Sequence, residues 1–307
     1  MHKQMLLLFG LLLAFSNAQA FETIQINPRV YALVGDLGQR SPQNLGHNMT
    51  SGFIVGDEAI AVIDSGACRA GAERIHAAIR KVSDKPIRWV VNTGGQDHRW
   101  LGNAYFREQG ATVIASAAAA ADMHERAAEQ MVQAEQLIGD GFAGTEPAYP
   151  DQTFDQRFSI ALKGVEAEVI FTGGGHTPGD SIVWLPKEKI AFTGDIVYVQ
   201  RLLGVRDNGA ATWISSLEYL RDSLQPQVVI PGHGHVTDMD EALRDSHDYL
   251  VHLRDAIQQR IDDGAFDPVE ASQGLDQSRF SYLDNYDDLR FRSINAQRVA
   301  EALFESQ

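Results

Sequence analysis

Short apolar runs separated by polar turns dominate the first two thirds of the chain. Val30–Val34, Phe53–Val55, Ile60–Ile63 and Ile87–Val91 are bounded by Gly, Asn, Asp or Ser, which predicts buried strands. A polar loop, Gly35–Met49, separates the first two. Helical spacing over Ala72–Val82 puts Ile75, Ala78 and Ile79 on one face. A short helix near Asn103–Glu108, a strand at Thr112–Ala115 and a long Ala-rich helix over Ala117–Ile138 follow. The second half repeats the theme. Strands are expected at Ala167–Phe171, Ser181–Leu185, Ile190–Phe192 and Val228–Ile230, with a helix at Thr212–Leu224 before the last. An amphipathic helix over Met239–Ile261 carries Leu243, Leu250, Leu253, Ile257 and Ile261, and the tail from about Asp267 reads as short helices. Strands alternating with helices predict an α/β class. Nothing resembling a linker interrupts residues 21–307, so one domain is expected there.

The first 20 residues have a different pattern. His2 and Lys3 precede an apolar run, Met5–Phe15, and Ala18-Gln19-Ala20 matches a small-x-small cleavage site. This predicts a secretory signal cleaved after Ala20 and a periplasmic or secreted protein. No later stretch is long and apolar enough to span a bilayer. A net charge of −15, from 26 basic and 41 acidic residues, argues against a nucleic-acid partner. The expected partner is a small-molecule substrate. Cys68 is the only cysteine, so an exported chain must rely on core burial or on metal rather than on an internal disulfide.

Four polar clusters follow predicted strands, where α/β sheets gather their ligand sites. They are Gln96-Asp97-His98-Arg99, Gly175-His176-Thr177-Pro178-Gly179-Asp180, Thr193-Gly194-Asp195 and Pro231-Gly232-His233-Gly234-His235. Each alone is a weak signal, and Gly175–Asp180 also reads as a plain turn. Three His and one or two Asp converging from Gly-rich loops suit a zinc-type site.

In this order the clusters resemble the metallo-β-lactamase superfamily over about Val30 to Val236. Asp64 after a hydrophobic strand matches its first motif. Gly175–Asp180 matches the third, Thr193-Gly194-Asp195 the fourth and Pro231-Gly232-His233-Gly234 the fifth. The resemblance implies a four-layer αββα sandwich with metal at one edge. The second motif departs from the family's Asn-Thr-His-x-His-x-Asp-His-x-x-Gly-Asn. Here Asn92 to Asn103 reads Asn-Thr-Gly-Gly-Gln-Asp-His-Arg-Trp-Leu-Gly-Asn. Aligned without a gap, Gly94 and Gln96 replace the two leading histidines, His98 takes the Asp position and Arg99 the last His position. A one-residue slip makes Asp97-His98 the Asp-His pair instead.

The resemblance implies metal ligands His98, His176, Asp195 and His233, with Asp97 conditional on register and Gln96 a weak oxygen ligand at the depleted first site. One zinc is expected ahead of two, and Fe or Mn suits the same donors. Asp97 or Asp195 would position the attacking water. Asp64 and His235 are expected to support the ligands from behind. Arg99 has two readings beside that of a surface arginine: its charge partly replaces a missing metal, or it clamps a substrate carboxylate. The implied activity is an exported metal-dependent hydrolase acting on an ester, lactone, lactam or thioester. A β-lactamase proper, an accessory protein of quinoprotein dehydrogenase systems and a degenerate metal- or ligand-binding module are the alternatives. Gly35–Met49 and Gln200–Ala211 are expected to shape the pocket.

Overall fold

The computed structural model describes residues 20–206 and 209–306. The expected signal sequence, apart from Ala20, lies outside the described residues. Twelve strands are found among them. They are β1 (Glu22–Gln25), β2 (Val30–Val34), β3 (Thr50–Val55), β4 (Ile60–Ile63), β5 (Ile87–Val91), β6 (Thr112–Ser116), β7 (Gln152–Phe154), β8 (Arg157–Leu162), β9 (Val165–Phe171), β10 (Ser181–Leu185), β11 (Ile190–Tyr198) and β12 (Val228–His233). The helices are α1 (Arg69–Arg80), α2 (Asp97–Trp100), α3 (Asn103–Glu108), α4 (Ala117–Ile138), α5 (Ala211–Tyr219), α6 (Met239–Ala242), α7 (Asp248–Asp262), α8 (Pro268–Ser272) and α9 (Leu289–Glu305).

Strands β1 to β7 form one mixed sheet in sequence order, and β12-β11-β10-β9-β8 form a second. Side chains from both inner faces, among them Ile54, Ile63, Val91, Val183, Phe192 and Ile230, pack into one apolar layer. The outer face of the first sheet is covered by α1 and α3 through Ile75, Ile79 and Phe106. The outer face of the second is covered by α5, α7 and α9 through Trp213, Leu217, Leu250, Leu253 and Val299. Helix, sheet, sheet and helix make the expected α/β sandwich.

Three strands escape the sequence reading: β1, β7 and β8. The predicted Met239–Ile261 helix is α6 and α7 joined by a wide π-turn over Leu243–His247, and Thr212–Leu224 likewise ends in one after α5. Strands β11 and β12 pair in parallel well past their apolar cores, through bulges that bring Gly194 opposite Pro231 and Tyr198 opposite His233. Asp195 and His233 therefore sit within strands rather than in the loops after them. No helix among the described residues is long and apolar enough to cross a membrane.

Candidate metal centre

The centre is assembled from the 92–103 segment and the ends of β11 and β12. Asn92 and Asn103 clamp that segment by exchanging amide hydrogen bonds of 2.8 and 3.0 Å. Within it α2 is one turn, pinned by the buried Trp100 indole, which donates to Gln130 of α4 at 2.8 Å. This turn carries Asp97, His98 and Arg99 inward, and all three are buried.

His98, Asp195 and His233 converge there: one ligand atom from each lies within 4.8 Å of the others. His98 Nε2 is 3.3 Å from Asp195 Oδ2, and His233 Nε2 is 3.2 Å from Asp195 Oδ1. Each imidazole is oriented from behind. His233 Nδ1 is 2.7 Å from the Asn48 carbonyl, and His98 Nδ1 is 3.3 Å from Asp97 Oδ1. Acceptors on Nδ1 fix the tautomer that leaves Nε2 as a lone-pair donor. His98 Nε2 is buried without a hydrogen-bond partner. Two imidazoles and a carboxylate with a spare, inward-facing nitrogen fit a divalent transition metal such as zinc.

The Asp195 carboxylate is held by charge. Burial alone would raise it, but Arg99 beside it, with His98 and His233, keeps it well below the usual carboxylate range. Burial drives His233 well below the ordinary histidine value, against the pull of Asp195. Both are therefore in their ligating forms at neutral pH.

Arg99 is fully buried. Its five N–H groups meet five oxygens: Nε and Nη2 reach Asp195 at 3.3 and 2.5 Å, Nη2 also the Gly232 carbonyl at 2.8 Å, and Nη1 reaches Thr50 O and Asp64 Oδ2, each at 3.0 Å. A β-carbon on Gly232 would stand 2.6 Å from Nη2, so the close approach of strand and guanidinium requires glycine there. Asp64 completes the unit. Its carboxylate accepts from Thr93 N at 2.7 Å and from the Thr93 hydroxyl, which ties the Arg99 anchor to the 92–103 segment. With no exposed surface and no free donor, Arg99 faces the carboxylates and not a substrate.

The other sequence-derived residues fall around this core. Asp97 pairs with Arg40 and accepts from the His98 backbone N–H at 2.8 Å, so its carboxylate backs His98. Burial would raise it, yet His98 and Arg40 bring it below the usual range. His176 is outside the three-residue set. Its Nδ1 is 2.7 Å from the Gly204 carbonyl, its ring lies 6.1 Å from that of Tyr198, and burial lowers it to about 4. Gln96 Oε1 accepts from Arg126 and Arg206 at 3.3 and 3.4 Å. His235 points away, 2.7 Å from Glu241. Trp213 is core, donating to Ile196 O at 2.7 Å.

The space beside Gly94 and Gly95 is occupied. A β-carbon on Gly94 would be 2.0 Å from Asp180 Oδ1, whose carboxylate Thr177 holds with its N–H and hydroxyl. One on Gly95 would be 2.1 Å from Asp122 Oδ2, and Asp122 pairs with Arg126. The sequence reading missed Arg40, Arg126, Arg206 and Tyr198. Tyr198 stacks on His233 with ring centroids 4.4 Å apart. Arg40 and Arg206 lie in the two loops expected to shape the pocket, which was the one available signal. Those loops also supply Asn48 O and Gly204 O.

Residues 46–235 match the family model described as the metallo-beta-lactamase superfamily. The linear primary-alkylsulfatase of Pseudomonas sp. (strain ATCC 19151) is 21% identical over 244 residues, covering 66% of this chain and 45% of that protein. Among solved structures, a metallo-beta-lactamase from Pontibacter korlensis has a TM-score of 0.60 at 24% identity, over 75% of this chain and 99% of that one. The inverting sec-alkylsulfatase Pisa1 from Pseudomonas sp. has a TM-score of 0.67 at 18% identity, over 92% of this chain and 51% of that one. The chain spans less than half the length of the curated relatives it matches, a type 2 metallo-beta-lactamase of Bacteroides fragilis among them. At these identities the structural likenesses speak for the fold. With the ordered motifs and a profile match over most of the sandwich, the chain belongs to the metallo-beta-lactamase superfamily.

Proposed function

We propose that this protein is an exported hydrolase with a single metal held by His98, Asp195 and His233. The observation that carries the reading is the convergence of those three side chains, each imidazole fixed from behind and His98 Nε2 left without a partner. A divalent cation bound there supplies Lewis acidity and lowers the pKa of a coordinated water. The chain's own residues do the rest. Asp97 orients His98, Asn48 orients His233, and Arg99 holds both oxygens of Asp195 in place. His176, which burial lowers to about 4, stays neutral and offers its Nε2 lone pair as a hydrogen-bond acceptor. Tyr198, which burial and Asp195 raise well above the ordinary tyrosine value, keeps its proton and offers a hydrogen-bond donor beside the centre.

Homologous β-lactamase and alkylsulfatase support hydrolysis as the reaction class. The substrate bond is an ester, lactone, lactam, thioester or sulfate ester. Elemental analysis of protein purified without chelator tests the reading. One zinc per chain, lost in His233→Ala together with turnover of a chromogenic ester, lactam or sulfate, is the expected result. A chain that stays empty after zinc, iron and manganese are added back, or a variant that keeps turnover, overturns it.

A further inference from the structure

The chain that leaves the end of β11, residues 198–206, is held by side chains from far along the sequence. Ser246 Oγ accepts from Tyr198 N at 2.9 Å and donates to Tyr198 O at 2.7 Å, and Asp245 Oδ2 accepts from Gln200 N at 2.9 Å. Both side chains are buried, and both come from the π-turn after α6, which aims two consecutive residues at the strand. Asp284 donates to Gln200 O at 2.8 Å and accepts from Leu202 N at 2.9 Å through its backbone. These supports all lie beyond residue 235, where the family match ends. The one that reaches furthest into the site is Asn295 of α9, which is buried. Its Oδ1 accepts from Val205 N at 2.8 Å, and its Nδ2 donates to Leu203 O at 2.8 Å and to Tyr249 Oη at 3.0 Å. Tyr249 in turn donates to Gln277 Oε1 at 2.8 Å, which fixes the direction of the relay.

The Val205 N–H and the Gly204 C=O belong to one peptide unit. That unit is planar and trans, so the two groups point opposite ways, and a bond on one fixes the aim of the other. The Gly204 carbonyl is the group 2.7 Å from His176 Nδ1. A carbonyl only accepts, so Nδ1 carries the proton and Nε2 the lone pair. One turn before Asn295, Phe291 backs the same residue: a β-carbon on Gly204 would stand 3.3 Å from its ring. We infer that Asn295 is a positioning residue of the site, which sets the tautomer and ring orientation of His176 through the Gly204–Val205 peptide. The inference deepens the reading given above and rests on it for the use of His176 as an acceptor beside the centre. Helix α9, outside the family-matched residues, thereby takes a share in the chemistry.

Long-range proton–nitrogen correlation spectra of the full chain, metal-free and zinc-loaded, read the tautomer of each imidazole, with His176→Gln and His233→Gln identifying the signals. The wild type is expected to hold His176 in the Nδ1–H form. Asn295→Ala should shift His176 to a mixture of tautomers and speed amide exchange at Val205 about tenfold or more, the size of one lost hydrogen bond. His233, held by the Asn48 carbonyl, should keep its form. Tyr249→Phe leaves Asn295 in place but removes one partner of Nδ2, and should move both readouts the same way by less. The exposed Gln297→Ala on the same helix should move neither. If Asn295→Ala does not fold, Tyr249→Phe decides. An unchanged Nδ1–H form at His176 in the variants overturns the inference, and so does an equal change at His233, which marks general loosening. A chain that takes up no zinc overturns the metal reading alone, because the tautomer of the metal-free protein still decides the role of Asn295.

Discussion

The His98–Asp195–His233 side of the centre and the Gly94–Gln96 side grow from the same twelve-residue segment, yet they handle charge in opposite ways. On the first, Arg99 neutralises Asp64 and Asp195 from beneath and leaves two imidazole nitrogens facing inward. On the second, Asp180 and the Asp122–Arg126 pair fill the space, and Arg206 adds charge that a cation would have to overcome. The difference teaches that a ligand set is defined as much by what lies behind it as by the ligands. Asp195 has a positive partner that does not depend on metal, whereas Gln96 is already engaged by two guanidinium groups.

The sharpest way to break this contrast is Arg99→Met. It leaves two buried carboxylates without their cation, and a loss of about 3–5 kcal/mol in urea unfolding of the metal-free protein is expected. Little change would show that Asp64 and Asp195 find other support. Next in size is acid sensitivity on the same side. Burial lowers His47 to about 3 from an ordinary 6.5, so below about 6.5 the unfolded chain takes a proton that the folded chain refuses until about pH 3. His47 therefore contributes a stability loss as pH falls through that window, with a slope approaching about 1.4 kcal/mol per pH unit. The wild type minus His47→Gln difference, measured by unfolding at pH 7.5, 5.5 and 4.5, should show it. A parallel pair of curves would remove His47 from the account.

Smaller effects separate the two sides directly. Asp97→Asn weakens the orientation of His98 and should lower zinc affinity about 10- to 100-fold, as seen when a support behind a ligand histidine is lost. Gln96→Ala on the other side should change zinc affinity by less than about twofold, because the amide is committed to Arg126 and Arg206. Competition with a chromophoric chelator reads both. Equal losses would place Gln96 among the ligands and dissolve the distinction.

Much of this was legible in the chain. The strands β2 to β6 and β9 to β12 were found because each contains a mainly apolar run, bounded in most cases by turn residues. The missed strands β1, β7 and β8 are all at sheet edges. Each has one unpaired side and exposed positions, so Glu22–Gln25, Gln152–Phe154 and Arg157–Leu162 lack a continuous apolar signature. The ends of β11 and β12 were hidden by Gly194, Pro231 and Gly232, which read as turns until parallel pairing carries the strands through them. At the site, the motifs named His98, His176, Asp195 and His233 with Asp97 conditional, and of these His98, Asp195 and His233 converge while His176 stands outside the set. The burial of Arg99 was not legible, because its acceptors come from four distant stretches, at Thr50, Asp64, Asp195 and Gly232. The Arg126–Asp122 filling was equally hidden, since an i,i+4 pair on an Ala-rich helix looks like a solvated face.

The packing over Gly94 and Gly95 also bears on how this loop can be changed. A histidine placed at 94 meets the Asp180 carboxylate that Thr177 holds, and any side chain at 95 meets Asp122 down to its β-carbon. Fitting side chains into this loop therefore demands a prior change on a different element, one that by itself strips a partner from Arg126 or Thr177. Such a first step is costly before the second brings any benefit. Single substitutions at 94 or 95 therefore leave the loop worse packed, and only paired changes can open it.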